Sequence, residues 1–105
     1  MSVEELVKEL NDTIENHIDI LWQEDWFVFY DQAIDLYEQV KDESQDIAEA
    51  AEKMLYVLNA GGDAPSQEEW YDICDGVCGL CVELGNSGVI DIDILDNYPG
   101  LYRFA

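Results

Sequence analysis

The chain has 105 residues, of which 25 are acidic and only four are basic, so its formal net charge is −21. A chain of this length forms a single domain, residues 1–105, and is too short for a barrel enzyme or a two-domain nucleotide-binding fold. Apolar residues make up 49% of the sequence, which excludes a disordered acidic tail and predicts a folded scaffold that carries the charge.

The charge balance also limits the possible partners. Nucleic acids and anionic membrane surfaces are bound mainly through Lys and Arg, and the chain offers only Lys8, Lys41, Lys53 and Arg103. We therefore expect no direct binding to nucleic acid or to a membrane. The N-terminal sequence has no signal-peptide pattern, and no apolar run approaches the roughly 18 residues of a membrane span. These features predict a soluble, cytoplasmic protein.

The first predicted helix covers residues 3–21. Ser2 and Glu5 have the spacing of a capping box, which marks its start. One face is apolar, and the opposite face carries Glu5, Asp12, Glu15 and Asp19. His17, the single histidine, falls beside the apolar face, where we expect a packed boundary residue rather than a catalytic base.

The second predicted helix covers residues 26–41, with Asp25 as its N-cap. Its apolar face comprises Trp26, Phe29, Tyr30, Ala33, Leu36, Tyr37 and Val40. A ridge of carboxylates lies nearly opposite, formed by Glu24, Asp31, Asp35, Glu38 and Asp42. Val28 falls on this acidic side without a core partner, which makes it a candidate apolar contact.

The third predicted helix covers residues 46–59, capped by Ser44 or Asp46 and ended by Gly61 and Gly62. Its apolar positions are Ile47, Ala51, Met54, Leu55 and Leu58. Tyr56 falls among charged residues on the polar side. A half-buried edge position is the favoured interpretation for it, and an anchor for a partner is the alternative.

The fourth predicted helix covers residues 67–84, from a second capping box at Ser66 and Glu69 to Gly85. Its apolar face comprises Trp70, Ile73, Cys74, Val77, Leu80, Cys81 and Leu84. Gly76 and Gly79 fall on the outer face, where each costs about 1 kcal/mol relative to Ala. A close approach by the C-terminal segment or by a partner would explain them.

The last twenty residues are the least regular part of the pattern. Ile90, Ile92 and Ile94 alternate with acids as in a strand, but the chain offers no second strand to pair with it. We therefore expect a short helical or irregular segment, with Leu101, Tyr102 and Phe104 packing back on the helices. The predicted fold class is all-α, a compact bundle of four main amphipathic helices.

Cys74, Cys78 and Cys81 form a C-x3-C-x2-C pattern, the spacing with which radical S-adenosylmethionine enzymes hold an iron–sulfur cluster. Those enzymes place the cysteines in a loop of a much larger barrel, whereas here the same spacing is one stripe of an amphipathic helix. We expect Cys74 and Cys81 to be buried, reduced and free of metal. A zinc site with His17 would require the first and fourth helices to be neighbours.

No catalytic or phosphate-binding motif occurs in the chain, and one histidine cannot supply a nucleophile, a base and an orienting group. Asp91, Asp93 and Asp96 lack the glycine and glutamate of a calcium loop. We therefore predict a protein that is not an enzyme and needs no cofactor.

The remaining signal is the charge pattern. From Asp31 to Asp42 the ridge carries four charges over about 16 Å, one per roughly 5.5 Å, against one phosphate per roughly 3.4 Å along a DNA strand. The chain is similar in composition and patterning to small acidic helical proteins of phages and mobile elements. Those proteins occupy the nucleic-acid-binding cleft of restriction enzymes or CRISPR effectors.

The similarity implies an inhibitor that mimics nucleic acid in the cytosol of a bacterial host. We expect a monomer, because a charge of −21 on each copy opposes self-association, with a dimer as the alternative. The predicted contacts are the acids of the first two helices together with Tyr56 and Val28. Three alternatives remain open: an immunity-type inhibitor of a basic toxin nuclease, a halophilic adaptation, and a general module that binds a basic protein.

Overall fold

The computed structural model describes residues 2–17 and 23–93. Four α-helices occupy most of these residues and no strand occurs in them, which confirms the predicted all-α class. The helices are α1 (Val3–Asn16), α2 (Gln23–Val40), α3 (Gln45–Ala60) and α4 (Gln67–Asn86).

Side-chain caps fix the starts of three helices. Ser2 and Ser66 each form the complete capping box, in which the hydroxyl accepts from the amide three residues later and the glutamate accepts from the cap amide. At the start of α3, the hydroxyl of Ser44 accepts from the amide of Ile47 at 3.2 Å. Ser44 is therefore the cap of α3, and Asp46 lies inside its first turn.

The boundary between α1 and α2 differs from the prediction. α1 ends at Asn16, because His17 leaves the helical region at φ −130° and ψ 47°. α2 begins at Gln23, so Asp25 is a first-turn residue rather than the N-cap, and there its charge complements the helix dipole. Residues 18–21, the rest of the predicted first helix, lie outside the described part of the chain.

The end of α4 also differs, because Gly85 is buried within the helix and does not stop it. The stop is Gly88, whose φ of 77° lies in the left-handed region that favours glycine. Its turn lets the amides of Val89 and Ile90 donate to the Leu84 carbonyl at 3.0 and 3.3 Å. Ile90 is buried by this reversal, whereas Ile92 is 45% exposed.

Side chains from all four helices, together with Ile90, form one apolar core. Every residue predicted for the apolar face of α4 is buried, while Tyr30 and Tyr37 of α2 and Leu55 of α3 are half-buried. The two tyrosines use this position to reach α3, since Tyr30 Oη donates to Asn59 Oδ1 at 2.9 Å and Tyr37 Oη to Glu52 Oε1 at 2.6 Å.

Two buried tryptophans connect the helix ends. Trp26 Nε1 donates to the carbonyl of Gly62 in the α3–α4 loop at 3.0 Å, and Trp70 Nε1 donates to the carbonyl of His17 at 2.6 Å. Phe29 packs between them, 6.2 Å from Trp26 and 5.0 Å from Trp70 between ring centroids. The indole donors thus satisfy backbone carbonyls where α1 and α3 end.

α3 and α4 form a closely packed antiparallel pair. A Cβ placed on Gly61 would lie 3.1 Å from Ile73 Cδ1, and one placed on Gly76 would lie 2.9 Å from Val57 Cγ2 and 3.3 Å from Met54 Cα. From Ile73 to Gly76 along α4, the neighbouring residue of α3 moves back from Gly61 to Val57 and Met54. The two helices therefore run antiparallel. Among the described residues, the neighbour that approaches Gly76 is therefore α3.

Residues 94–105 lie outside the described part of the chain. The predicted packing of Leu101, Tyr102 and Phe104 falls on these residues. Residues 91–93 continue from the α4 turn into the start of a 3₁₀ turn. Within the described ranges, no helix combines the length and the apolar composition that crossing a membrane requires.

Candidate functional site

The described carboxylates all lie at the surface, since none of them is buried. The four that we call the α2 ridge project from one face of a single continuous helix: Glu24, Asp31, Asp35 and Glu38. The ridge spans about 21 Å at the rise of an α-helix. All four are exposed, as predicted from the spacing.

Asp42, also predicted for this ridge, lies in the turn beyond the end of α2 at Val40. It is exposed but its direction is set by the turn and not by the helix. Close by, Lys41 Nζ lies 2.8 Å from Glu38 Oε2, and this hydrogen bond raises the pKa of the Lys41 ammonium. The C-terminal end of the ridge is therefore partly neutralised, and the charge is concentrated toward Asp31 and Asp35.

Two apolar side chains interrupt the acids of α2. Val28 is 55% exposed and Phe27 is 47% exposed, between Glu24 and Asp31 along the helix. The exposure of Val28 agrees with the prediction. Sequence reasoning missed Phe27, although its position outside the apolar face was already a sufficient signal. Together the pair offers a hydrophobic contact inside a field of negative charge.

The predicted acids of α1 are less free than those of α2. Glu5 accepts from the Ser2 amide at 3.5 Å as part of the capping box. Asp12 and Glu15 both accept from the buried amide of Asn11, at 3.4 and 3.2 Å. These three carboxylates serve the helix itself, and Asp19 lies outside the described residues. The α1 face is consequently a weaker candidate contact than the α2 ridge.

Tyr56 is 76% exposed, so the half-buried edge position favoured from the sequence is wrong. It stands at the rim of an open groove of about 700 Å³ between α3 and α4, the α3–α4 groove. Small and aliphatic residues of the two helices also line it: Ala50, Val57, Gly76, Gly79, Leu80 and Val82. Val28 is not among the residues that line it.

Five carboxylates and one ammonium line the α3–α4 groove. The ammonium belongs to Lys53, and the carboxylates are Asp46, Glu49, Asp72, Asp75 and Glu83. The sequence pattern offered Asp46 only as a candidate cap and did not show that two helices bring these acids together. Gly76 was the available signal, because a glycine inside a helix can mark the close approach of a neighbour, and α3 packs against it.

The three cysteines of α4 are all buried. Burial in the apolar core raises the pKa of the Cys74 and Cys81 thiols, and the nearby Cys78 acts in the same direction. Protonated thiols are poor metal ligands and poor nucleophiles at neutral pH. Among the described residues, no group of three or more His, Cys, Asp or Glu side chains is arranged to hold a metal ion.

His17 lies where α1 and α2 meet. Its Nε2 atom is 2.9 Å from Asp25 Oδ2, its side chain is 17% exposed, and its carbonyl accepts the Trp70 indole bond. The residue therefore joins three helices, in agreement with the predicted boundary role.

The described surface thus offers two acidic regions with exposed apolar groups: the convex α2 ridge and the concave α3–α4 groove. Fixed carboxylates with exposed aromatic or aliphatic neighbours are suited to binding a cationic surface, where the charges guide association and the apolar groups exclude water. No protein-family model, curated protein or solved structure matches this chain.

Proposed function

We propose that this protein is an acidic inhibitor that mimics nucleic acid and blocks the binding cleft of a basic, nucleic-acid-binding protein. The favoured class of target is a CRISPR effector or a restriction enzyme. The observation that carries the proposal is the α2 ridge, a row of exposed carboxylates on one uninterrupted helix. The inhibitor acts by occupancy, so it requires neither a cofactor nor a chemical step.

The electrostatics favour such competition. A cleft that binds nucleic acid is lined with Lys and Arg, and binding there releases the counterions that surround a polyanion. The ridge presents one carboxylate per roughly 7 Å, which is sparser than the phosphates of a strand. Phe27 and Val28 compensate with an apolar contact that phosphates cannot make. Long-range attraction accelerates association, and the apolar contact slows dissociation.

A second candidate is an immunity-type inhibitor of a basic toxin nuclease. Such an inhibitor concentrates its acids and aromatic anchors in one patch, because a few desolvated contacts supply most of the affinity. The α3–α4 groove has this composition, with Tyr56 beside five carboxylates. The two candidates therefore use different surfaces of the same molecule, and surface-specific variants can distinguish them.

The first test is capture followed by competition. The protein is immobilised, a bacterial lysate is passed over it, and retained proteins are identified by mass spectrometry. Each purified partner is then titrated with its own DNA or RNA substrate in the presence of this protein. The proposal requires mutually exclusive binding. Simultaneous binding of nucleic acid and this protein to the partner's substrate cleft contradicts it.

The second test uses two triple reversals with the same change in charge. Asp31→Lys, Asp35→Lys and Glu38→Lys alter the α2 ridge, and Glu49→Lys, Asp72→Lys and Asp75→Lys alter the groove. The ridge variant should weaken binding to the captured partner by about tenfold or more and reduce its salt dependence. An effect confined to the groove variant favours the immunity-type inhibitor. If neither variant loses affinity while both stay folded, the proposal fails.

A further inference from the structure

The geometry of the α3–α4 groove points to a second property: we infer that it is a docking site for a Lys- and Arg-bearing α-helix of a partner protein. The lining residues run from Asp46 to Val57 on α3 and from Asp72 to Glu83 on α4. Each stripe covers about 16 Å, which is three helical turns. The inference holds whether or not that partner also binds nucleic acid.

Gly79 is the strongest sign that something outside the chain approaches the groove. Gly79 lies within α4, where glycine is destabilising by about 1 kcal/mol relative to Ala. Gly76 has an internal reason, since α3 packs against it. A Cβ on Gly79 would meet nothing within 4 Å, and the residue has ordinary helical φ. Neither packing nor backbone conformation within the described residues therefore calls for glycine at position 79.

A bare glycine among the lining residues lets another backbone come close to α4. Helices pack with axes 8–10 Å apart, and the shorter distances require small residues at the contact. Ala50 lines the groove from α3. A groove between two antiparallel helices, three turns long and lined in part by small residues, is a shape that accepts a third helix.

The charges decide what kind of helix fits. Carboxylates stand on both walls, with Asp46 and Glu49 on α3 and Asp72, Asp75 and Glu83 on α4. Lys53 is the one basic side chain among the lining residues. An acidic or purely apolar helix would leave these carboxylates repelled or unpaired, whereas a helix with Lys and Arg on its flanks would pair with both walls.

Tyr56 adds the contact that supplies specificity. At 76% exposure its ring has little contact with its own chain, and it stands beside the carboxylates at the rim. An Arg or Lys side chain placed over such a ring gains a cation–π interaction of about 0.5–1 kcal/mol at an exposed site, more when water is excluded. A second copy of this chain fits poorly as occupant, because two molecules of charge −21 repel each other.

The test uses an alanine-based peptide with Lys and Arg at positions i, i+3, i+4 and i+7 as the probe. Its control has the same composition with a central proline that breaks the helix. Affinity is measured by fluorescence anisotropy of the labelled peptide at low salt. The site is located from amide shifts of Gly76 and Gly79 in ¹⁵N–¹H NMR spectra. The helical peptide should bind about tenfold more tightly than the control and shift both glycine amides.

The decisive variant is Gly79→Leu, which places a side chain in the groove without changing any charge. It should weaken peptide binding by about tenfold while leaving the fold unaltered by circular dichroism. Equal affinity of the wild type and Gly79→Leu overturns the inference, and so does equal affinity of the two peptides, which would indicate attraction by charge alone. Two further results overturn it: self-association through the groove in sedimentation, and shifts showing that residues 94–105 occupy it.

Discussion

The α2 ridge and the α3–α4 groove are two acidic surfaces built in different ways. The ridge belongs to one helix, so the repeat of its carboxylates in the sequence is sufficient to define it. The groove exists only where two helices pack, and two of its five carboxylates come from α3 and three from α4. The ridge is convex and suited to a cleft, whereas the groove is concave and suited to a protruding helix. Equal charge therefore does not imply an equal partner.

The largest effect is expected from two matched substitutions of glycine by leucine. Gly76→Leu places a side chain where Val57 and Met54 already lie, and overpacking of this kind costs about 1–3 kcal/mol or more. Gly79→Leu enters open space and gains up to about 1 kcal/mol of helix propensity. Urea unfolding followed by circular dichroism should show a lower free energy of unfolding for the first and no loss for the second. Equal losses would mean that Gly79 is also packed.

The two glycines illustrate the limit of inference from this sequence. Their spacing placed both on the outer face of α4, which is correct for the open Gly79 but wrong for Gly76, because α3 packs against it. Likewise, periodicity predicted the exposed acids of α2 and nearly all of its buried face. It could not predict the groove, because the pairing of α3 with α4 depends on contacts between residues far apart in the chain.

The helix ends also differ in whether nearby residues or distant contacts determine them. The capping boxes at Ser2 and Ser66 are local, so the sequence predicted them correctly. The end of α1 at Asn16 is not local: the carbonyl of His17 accepts from Trp70, a residue that follows it by 53 positions. The exposure of Tyr56 was misjudged for a similar reason, since no propensity indicates whether a neighbour will cover a side chain.

The next effect concerns stability under changing salt. Each triple reversal removes negative charge from a chain of charge −21, so both variants should be more stable than the wild type at low salt, by about 1 kcal/mol or less. The ridge variant should gain less, because it breaks the Glu38–Lys41 pair and puts a positive charge beside Lys41. Thermal unfolding across salt concentrations checks this order. Gains that persist at high salt would exclude self-repulsion as the cause.

A smaller effect is expected at the start of α4, the helix that forms one wall of the groove. The Ser66 amide and hydroxyl hold the pKa of the Glu69 carboxyl below its usual value of 4.5. Because the pKa is lower in the folded state than in the unfolded chain, the ionised Glu69 carboxylate stabilises the fold above pH 4.5. This stabilisation is lost as the pH falls through the lowered pKa. The stability difference between the wild type and Glu69→Gln should therefore be largest at neutral pH and shrink in acid.

Glu68→Gln is the matched control for this effect, because it removes the same charge from the same first turn without breaking the capping box. Urea unfolding at a series of pH values compares the two variants. A pH dependence in Glu69→Gln no steeper than in Glu68→Gln would show that the capping bond is not its origin.

The smallest effect on stability, and the sharpest on binding, is expected from the exposed aromatic residues. Tyr56→Ala and Phe27→Ala remove side chains that are 76% and 47% exposed, so each should change the free energy of unfolding by no more than about 0.5 kcal/mol. Any loss of affinity then reports on the interface and not on the fold. Tyr56→Ala should weaken binding of the basic helical peptide and leave binding to the captured nucleic-acid-binding partner unchanged. Phe27→Ala should have the opposite effect on the two ligands. If both variants affect both ligands equally, the ridge and the groove act as one continuous surface, and the distinction between the convex and the concave site no longer holds.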